Sequence, residues 1–139
     1  MDELIDILDK HGKPTGASRL KSIAHKEGLY HPTVHIWCYS STGNILLQQR
    51  GKHKETFPLK WDVSVAGHVG AGEPMALGAQ REIKEEIGVD LQPERLEKVG
   101  VFKSEKHHAP DFIDREFHHV FLCCLDETVA LQKPTSNSC

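Results

Sequence analysis

Three glutamates cluster near the middle of the chain, in Arg81-Glu82-Ile83-Lys84-Glu85-Glu86-Ile87. On a helix, at about 100° per residue, Glu82 and Glu86 stack one turn apart and Glu85 lies on the same side. Like charges at these spacings repel and destabilise a helix. The cluster therefore wants a counter-charge, and a hard divalent cation is the obvious one. Magnesium takes oxygen ligands and commonly joins one or two carboxylates to substrate phosphates. Arg81 stands one turn before Glu85 and could orient it. The glycines of Gly67-His68-Val69-Gly70-Ala71-Gly72-Glu73, just before the helix, let backbone groups approach metal and phosphate closely. For three glutamates taken alone, a solvated acidic face is the ordinary alternative.

Those side chains need elements to hold them. A helix is expected from about Pro74 to Ile87, with Ala76, Ala79, Ile83 and Ile87 as its apolar stripe and Gly88 as its stop. Leu4 to Leu8 reads as a strand broken by a turn from Lys10 to Pro14. Ser18 is a candidate cap for a short helix through about Ala24. Thr33 to Tyr39 is rich in β-branched and aromatic residues, and the turn Ser41-Thr42-Gly43-Asn44 leads into a second strand, Ile45 to Gln49, as a hairpin. A polar stretch from Arg50 to Lys60 precedes Trp61-Asp62-Val63-Ser64-Val65. Leu96 to Lys103 and Phe117 to Leu125 are two more strand candidates, with Lys106-His107-His108-Ala109-Pro110 in the loop between them. Strands on both sides of a central helix suggest α+β or α/β layers.

With 139 residues the chain suits one domain with a single core. Its formal net charge is -3 with the signs interspersed, which argues against nucleic acid or an anionic membrane as the main partner. No apolar run approaches the roughly 20 residues of a membrane span, and the acidic N-terminus lacks a secretory h-region. A cytoplasmic protein is the expectation. The four cysteines, Cys38, Cys123, Cys124 and Cys139, contain no CxxC pair, so free buried thiols are favoured over a disulfide framework or a zinc-thiolate site. Ten histidines are the unusual feature.

Gly67, five residues, Glu73, seven residues, then Arg81-Glu82-Ile83-Lys84-Glu85-Glu86-Ile87-Gly88-Val89 resembles the complete Nudix box at every defined position. The resemblance implies an α/β/α sandwich with a mixed sheet, and Mg2+- or Mn2+-dependent hydrolysis of a diphosphate linked to another moiety. It implies that Glu82 and Glu86 ligate metal, that Glu85 is a ligand or base, and that Gly67 offers its carbonyl to the metal. Glu73 and Arg81 would hold the loop and helix together.

Outside the box, from about Leu4 to Lys133, the chain is similar to the Nudix proteins related to isopentenyl-diphosphate isomerase. The similarity rests on Ala24-His25, Tyr30-His31, Trp61-Asp62-Val63-Ser64-Val65-Ala66-Gly67-His68 and Asp114-Arg115-Glu116-Phe117. In the isomerases three histidines and two glutamates build a metal site. Here His25, His31, His68 and Glu116 match it, and Asp114 stands in for the other glutamate with a shorter side chain. Such a donor set suits manganese or zinc; separate histidines with ordinary hydrogen bonds are the alternative. The isomerases carry a catalytic cysteine where this chain has Ala66, whose methyl can neither give nor take a proton. Arg50, at the end of the expected hairpin, matches a diphosphate-binding arginine, and its guanidinium can grip phosphate bidentately. Lys52 and Lys54 follow it, Lys54 as a further phosphate contact, though solvated charge is the ordinary role for both.

Family members continue past Leu131-Gln132-Lys133 with a further strand and a C-terminal helix. Here the chain reads Pro134-Thr135-Ser136-Asn137-Ser138-Cys139, which has linker composition. The expectation is a Nudix domain over 1–133, incomplete at its end, and a short irregular tail over 134–139. A missing strand would leave an exposed sheet edge, open to self-association. The expected activity is hydrolysis of a small organic or nucleoside diphosphate compound, with Arg81, Glu85 and Glu116 as the catalytic candidates. A catalytically impaired metal- and diphosphate-binding module and an isomerase are the alternatives.

Overall fold

The computed structural model describes residues 2–49 and 61–125. Arg50, Lys52, Lys54 and the segment 134–139 lie outside the described residues. Among the described residues, eight strands and two α-helices follow the order β1 (Leu4–Leu8), β2 (Pro14–Leu20), α1 (Lys21–Glu27), β3 (Tyr30–Ser40), β4 (Gln48–Gln49), β5 (Trp61–Asp62), β6 (Val65–His68), α2 (Met75–Ile87), β7 (Glu97–Ala109) and β8 (Phe112–Leu125). A 3-10 turn over Pro93–Arg95 leads into β7.

The mixed α+β architecture centres on a six-stranded sheet in the order β2-β1-β3-β8-β7, with β6 also on β3. Strands β3 and β8 run parallel from Tyr30↔Arg115 to Ser40↔Leu125, and β6 is antiparallel to β3 from Thr33↔His68 to Ile36↔Val65. Side chains alternate across a strand, so each register pair shares a face. Val34, Ile36, Cys38, Val65, Phe121 and Cys123 form the main core with Ala79, Ile83 and Ile87 of α2. The intervening residues, His31, Thr33, Glu116 and His118, point to the opposite face, where α1 packs against β8. A smaller core joins Ile5, Ile7 and Ala24 on that side.

Three expectations are corrected. Residues 14–20 form a strand against β1 rather than the start of a helix, and the Ser18 hydroxyl donates to Asp6 Oδ1 at 3.3 Å instead of capping. Helix α1 starts at Lys21 and ends where Gly28 takes φ 67°. The hairpin after β3 begins with a Tyr39↔Ile45 bridge but does not continue as a ladder, because the Ser64 hydroxyl accepts the Cys38 N–H and donates to the Leu46 carbonyl, and β6 occupies the edge beyond from Thr33 to Ile36; Gln48–Gln49 pair instead with Trp61–Asp62. The expected loop around Lys106-His107-His108 is strand: β7 and β8 run on to a turn at Pro110-Asp111. Polar residues on both faces hide this extension from any hydrophobic alternation, while the backbone pairing persists. Helix α2 matches its expected span, and Gly88 closes it at φ 72°.

Candidate active site

Strand β6 separates two clusters. Gly67 pairs with Val34 and so faces α2, while His68 pairs with Thr33 and faces the other side of the sheet. On the α2 side the Glu82 carboxylate is buried against the Cα of Gly67. A Cβ at position 67 would lie 2.6 Å from Glu82 Oε1, closer than van der Waals contact permits.

Arg81 ties the loop before α2 to the helix. Its Nε and Nη2 donate to Glu73 Oε2 and Oε1 at 2.8 and 2.9 Å. Its Nη1 donates to Glu82 Oε1 at 2.9 Å and Glu85 Oε2 at 3.1 Å, and its Nη2 also reaches the His68 carbonyl at 3.1 Å. Glu73 Oε1 accepts the Gly70 N–H at 3.1 Å, closing the loop on itself. The Arg81 hydrogen bonds hold the Glu73 carboxyl below its usual range, and Glu73 in turn pushes Arg81 up. Burial is the largest influence on Glu82 and raises its carboxyl, against the lowering hydrogen bond with Glu86 and the charge of Arg81. One guanidinium thus serves Glu73, Glu82 and Glu85, with Glu86 one turn further on. The excess of carboxylate over cation is what a divalent ion would relieve.

On the opposite face, His25 of α1, His31 of β3, His68 of β6 and Glu116 of β8 each offer a donor atom within 4.8 Å of the others. The sheet register builds most of this: His31 lies beside Glu116 and Thr33 beside His68. His31 is fully buried, and its Nδ1 lies 3.0 Å from the Leu29 carbonyl. A carbonyl can only accept, so Nδ1 carries the proton. In the neutral ring Nε2 then presents a lone pair to Glu116 Oε2, 3.3 Å away. Two acceptors at that distance need a proton or a cation between them. The Nε2 atoms of His25 and His68 are also buried without an aligned hydrogen bond, although carboxylate oxygens stand near them at 2.9 Å (Asp114 Oδ1) and 3.5 Å (Glu116 Oε2). The donor set therefore fits a divalent metal ion. Burial is the largest influence on Glu116 and would raise it, but the neighbouring His31 and His68 imidazoles bring its carboxyl far below the usual range. Burial lowers His68.

Asp114 stands outside this four-residue group. Its Oδ1 faces His25 Nε2, and its Oδ2 is 2.8 Å from His108 Nε2. Sequence reasoning did not single out His108, Phe112 or the Thr33–His118 contact at 2.6 Å. Nothing in the local pattern marks them, since each acquires its partner through strand register. Cys38 and Cys123 are free buried thiols, whereas Cys124 is free but only half-buried.

The model of the NUDIX domain matches residues 29–138. The chain belongs to the Nudix family. Among curated relatives, this Nudix chain is 39% identical to Nudix hydrolase 3 of Arabidopsis thaliana over 133 residues, which cover 94% of the chain and 17% of that protein. It is 37% identical to an uncharacterized Nudix hydrolase of Clostridium acetobutylicum over 124 residues, 87% of the chain and 59% of that protein. It thus spans under two thirds of the length of both. An isopentenyl-diphosphate Delta-isomerase of Photorhabdus laumondii is 33% identical over 127 residues, 91% of this Nudix chain and 70% of the isomerase. In fold, the chain is similar to DR0079 of Deinococcus radiodurans, with a TM-score of 0.70 at 22% identity, covering 94% of this chain and 76% of that one. It is also similar to the E. coli dihydroneopterin triphosphate pyrophosphohydrolase, with a TM-score of 0.56 at 23% identity, covering 73% and 74%.

Proposed function

We propose that this Nudix domain hydrolyses a small organic or nucleoside diphosphate compound with Mg2+ or Mn2+. The observation that carries the proposal is the single Arg81 guanidinium holding Glu73, Glu82 and Glu85 while Glu82 is pressed against Gly67. Glu82 and Glu86 hold the activating ion, with the Gly67 carbonyl as a further oxygen ligand. When bound, divalent ions neutralise the diphosphate and polarise the phosphorus under attack.

Glu85 is the favoured base for the attacking water. Its side chain is 56% exposed, and Arg81 fixes one of its oxygens. Glu116 is the other candidate, but its carboxylate is engaged by His31 and His68, which suits a ligand better. Arg50 and Lys54 are assigned to the substrate phosphates on the sequence pattern alone. The histidine cluster with Glu116 is assigned as a second centre for manganese or zinc, with Asp114 beside it.

The isomerase similarity makes allylic isomerisation the second activity to test. Ala66 argues against it. It pairs with His35 and shares the histidine face, where its methyl can transfer no proton. The deciding experiment incubates the protein with a panel of diphosphates, with magnesium and with manganese, and follows release of phosphate or of monophosphate products. Metal-dependent release supports hydrolysis. Binding without product release would make the chain a binding module, and a shifted carbon–carbon double bond with intact diphosphate would make it an isomerase. Self-association is assigned to β7, an outer strand of the described sheet on which Val99, Val101 and Phe102 are exposed; light scattering tests it.

A further inference from the structure

The β7–β8 hairpin tip reaches the histidine centre through a residue that the metal-ligand pattern does not include. The register shifts between His107 and Ala109, leaving His108 as the extra residue of a bulge. Bulges of this kind re-aim a side chain. His108 Nε2 lies 2.8 Å from Asp114 Oδ2, and because a carboxylate only accepts, the imidazole is the donor. The other oxygen, Oδ1, lies 2.9 Å from His25 Nε2 without hydrogen-bond alignment. Phe112 packs between the two rings, stacked on His25 at 4.9 Å and 22° and edge-on to His108 at 5.0 Å and 70°. The His108 and Asp114 side chains are only 16% and 20% exposed.

We infer that His108 is a positioning residue of the histidine centre: its N–H holds one oxygen of Asp114 so that the other is presented beside His25, as a further donor to a metal bound by His25, His31, His68 and Glu116. Aspartate is one methylene shorter than glutamate, so its reach depends on the roll of the carboxylate about its last bond. The His108 donor sets that roll, and Phe112 keeps His25 and His108 in place and shields the bond from water. Hydrogen bonds to a ligating carboxylate commonly tune metal affinity by about 10- to 100-fold.

The inference rests on the histidine cluster binding metal, and the test separates the two. The protein is loaded with cobalt(II), a spectroscopic stand-in for zinc or manganese. The absorption that His31→Ala removes defines the centre, and chelator competition gives its affinity. His108→Leu, which has no donor, is expected to weaken cobalt binding about 10-fold and to shift the spectrum toward that of Asp114→Asn. His108→Gln, which retains an N–H, is expected to recover both properties. In an Asp114→Asn background, His108→Leu is expected to add no further loss, because the two act through one contact. A His108→Leu protein with the parent's spectrum and affinity would overturn the inference, as would a glutamine that behaves like leucine or a loss that adds to that of Asp114→Asn. Parent protein without His31-dependent absorption would overturn the metal centre itself, and the role of His108 with it.

Discussion

The Glu82 carboxylate fills the space where any side chain at Gly67 would begin. A Cβ there would stand 2.6 Å from Oε1 of Glu82, so position 67 excludes even alanine while Glu82 keeps its place. The restriction is steric and arises across the sheet–helix boundary, since Gly67 is not among the glycines with positive φ.

Gly67→Ala is therefore expected to push Glu82 out of its seat. Overpacking of this kind costs about 1–3 kcal/mol, and the displaced carboxylate should weaken the response to magnesium. Urea denaturation with and without magnesium measures both effects. An alanine variant as stable and as responsive as the parent would show that the close approach is immaterial.

Glu86→Gln is expected to leave the fold intact and remove most magnesium-dependent turnover, because a neutral amide is a poor partner for a hard cation. The measurement is the initial rate on the best diphosphate of the panel at limiting magnesium. Turnover equal to the parent's would remove Glu86 from the metal site.

The two clusters lie on opposite faces of β6, so their metals should be lost independently. His25→Ala or His68→Ala is expected to abolish tightly bound manganese or zinc in metal analysis of purified protein, with Glu82 and Glu86 unchanged. Repeated preparations of the parent without such a metal would leave the histidines as ordinary packed side chains.

Acid stability should depend on the Glu73–Arg81 pair. Hydrogen bonds from Arg81 lower the folded-state Glu73 carboxyl below the ordinary glutamate value. A depressed carboxyl contributes stability that is present above its unfolded value and lost as pH falls through the folded one. Glu73→Gln should therefore be less stable than the parent at neutral pH, with the gap closing below about pH 4.5 as the parent protonates. Denaturation midpoints taken from pH 7 to pH 3 check the sign; a constant gap across the range would assign the loss to packing alone.

The glutamate helix was legible in the sequence because its chemistry is local. A 3.6-residue period, a terminal glycine and the i, i+3, i+4 spacings suffice to place Glu82, Glu85 and Glu86 on one side of α2. The strand at β1 and the core of β3 were legible for the same reason. The histidine centre was reachable only by resemblance, since its members are spread from residue 25 to residue 116 and meet largely through the parallel register of β3 and β8. Only the tertiary structure decided that His68 and Gly67, adjacent in sequence, serve opposite faces. It also showed that residues 14–20 add to the sheet and that the β7–β8 hairpin carries His108 to Asp114. Each outcome depends on which strand takes which neighbour. A local pattern fixes the period of an element, whereas the register between elements is set by competition for the same backbone edge, as when Ser64 and β6 displace the expected hairpin from β3.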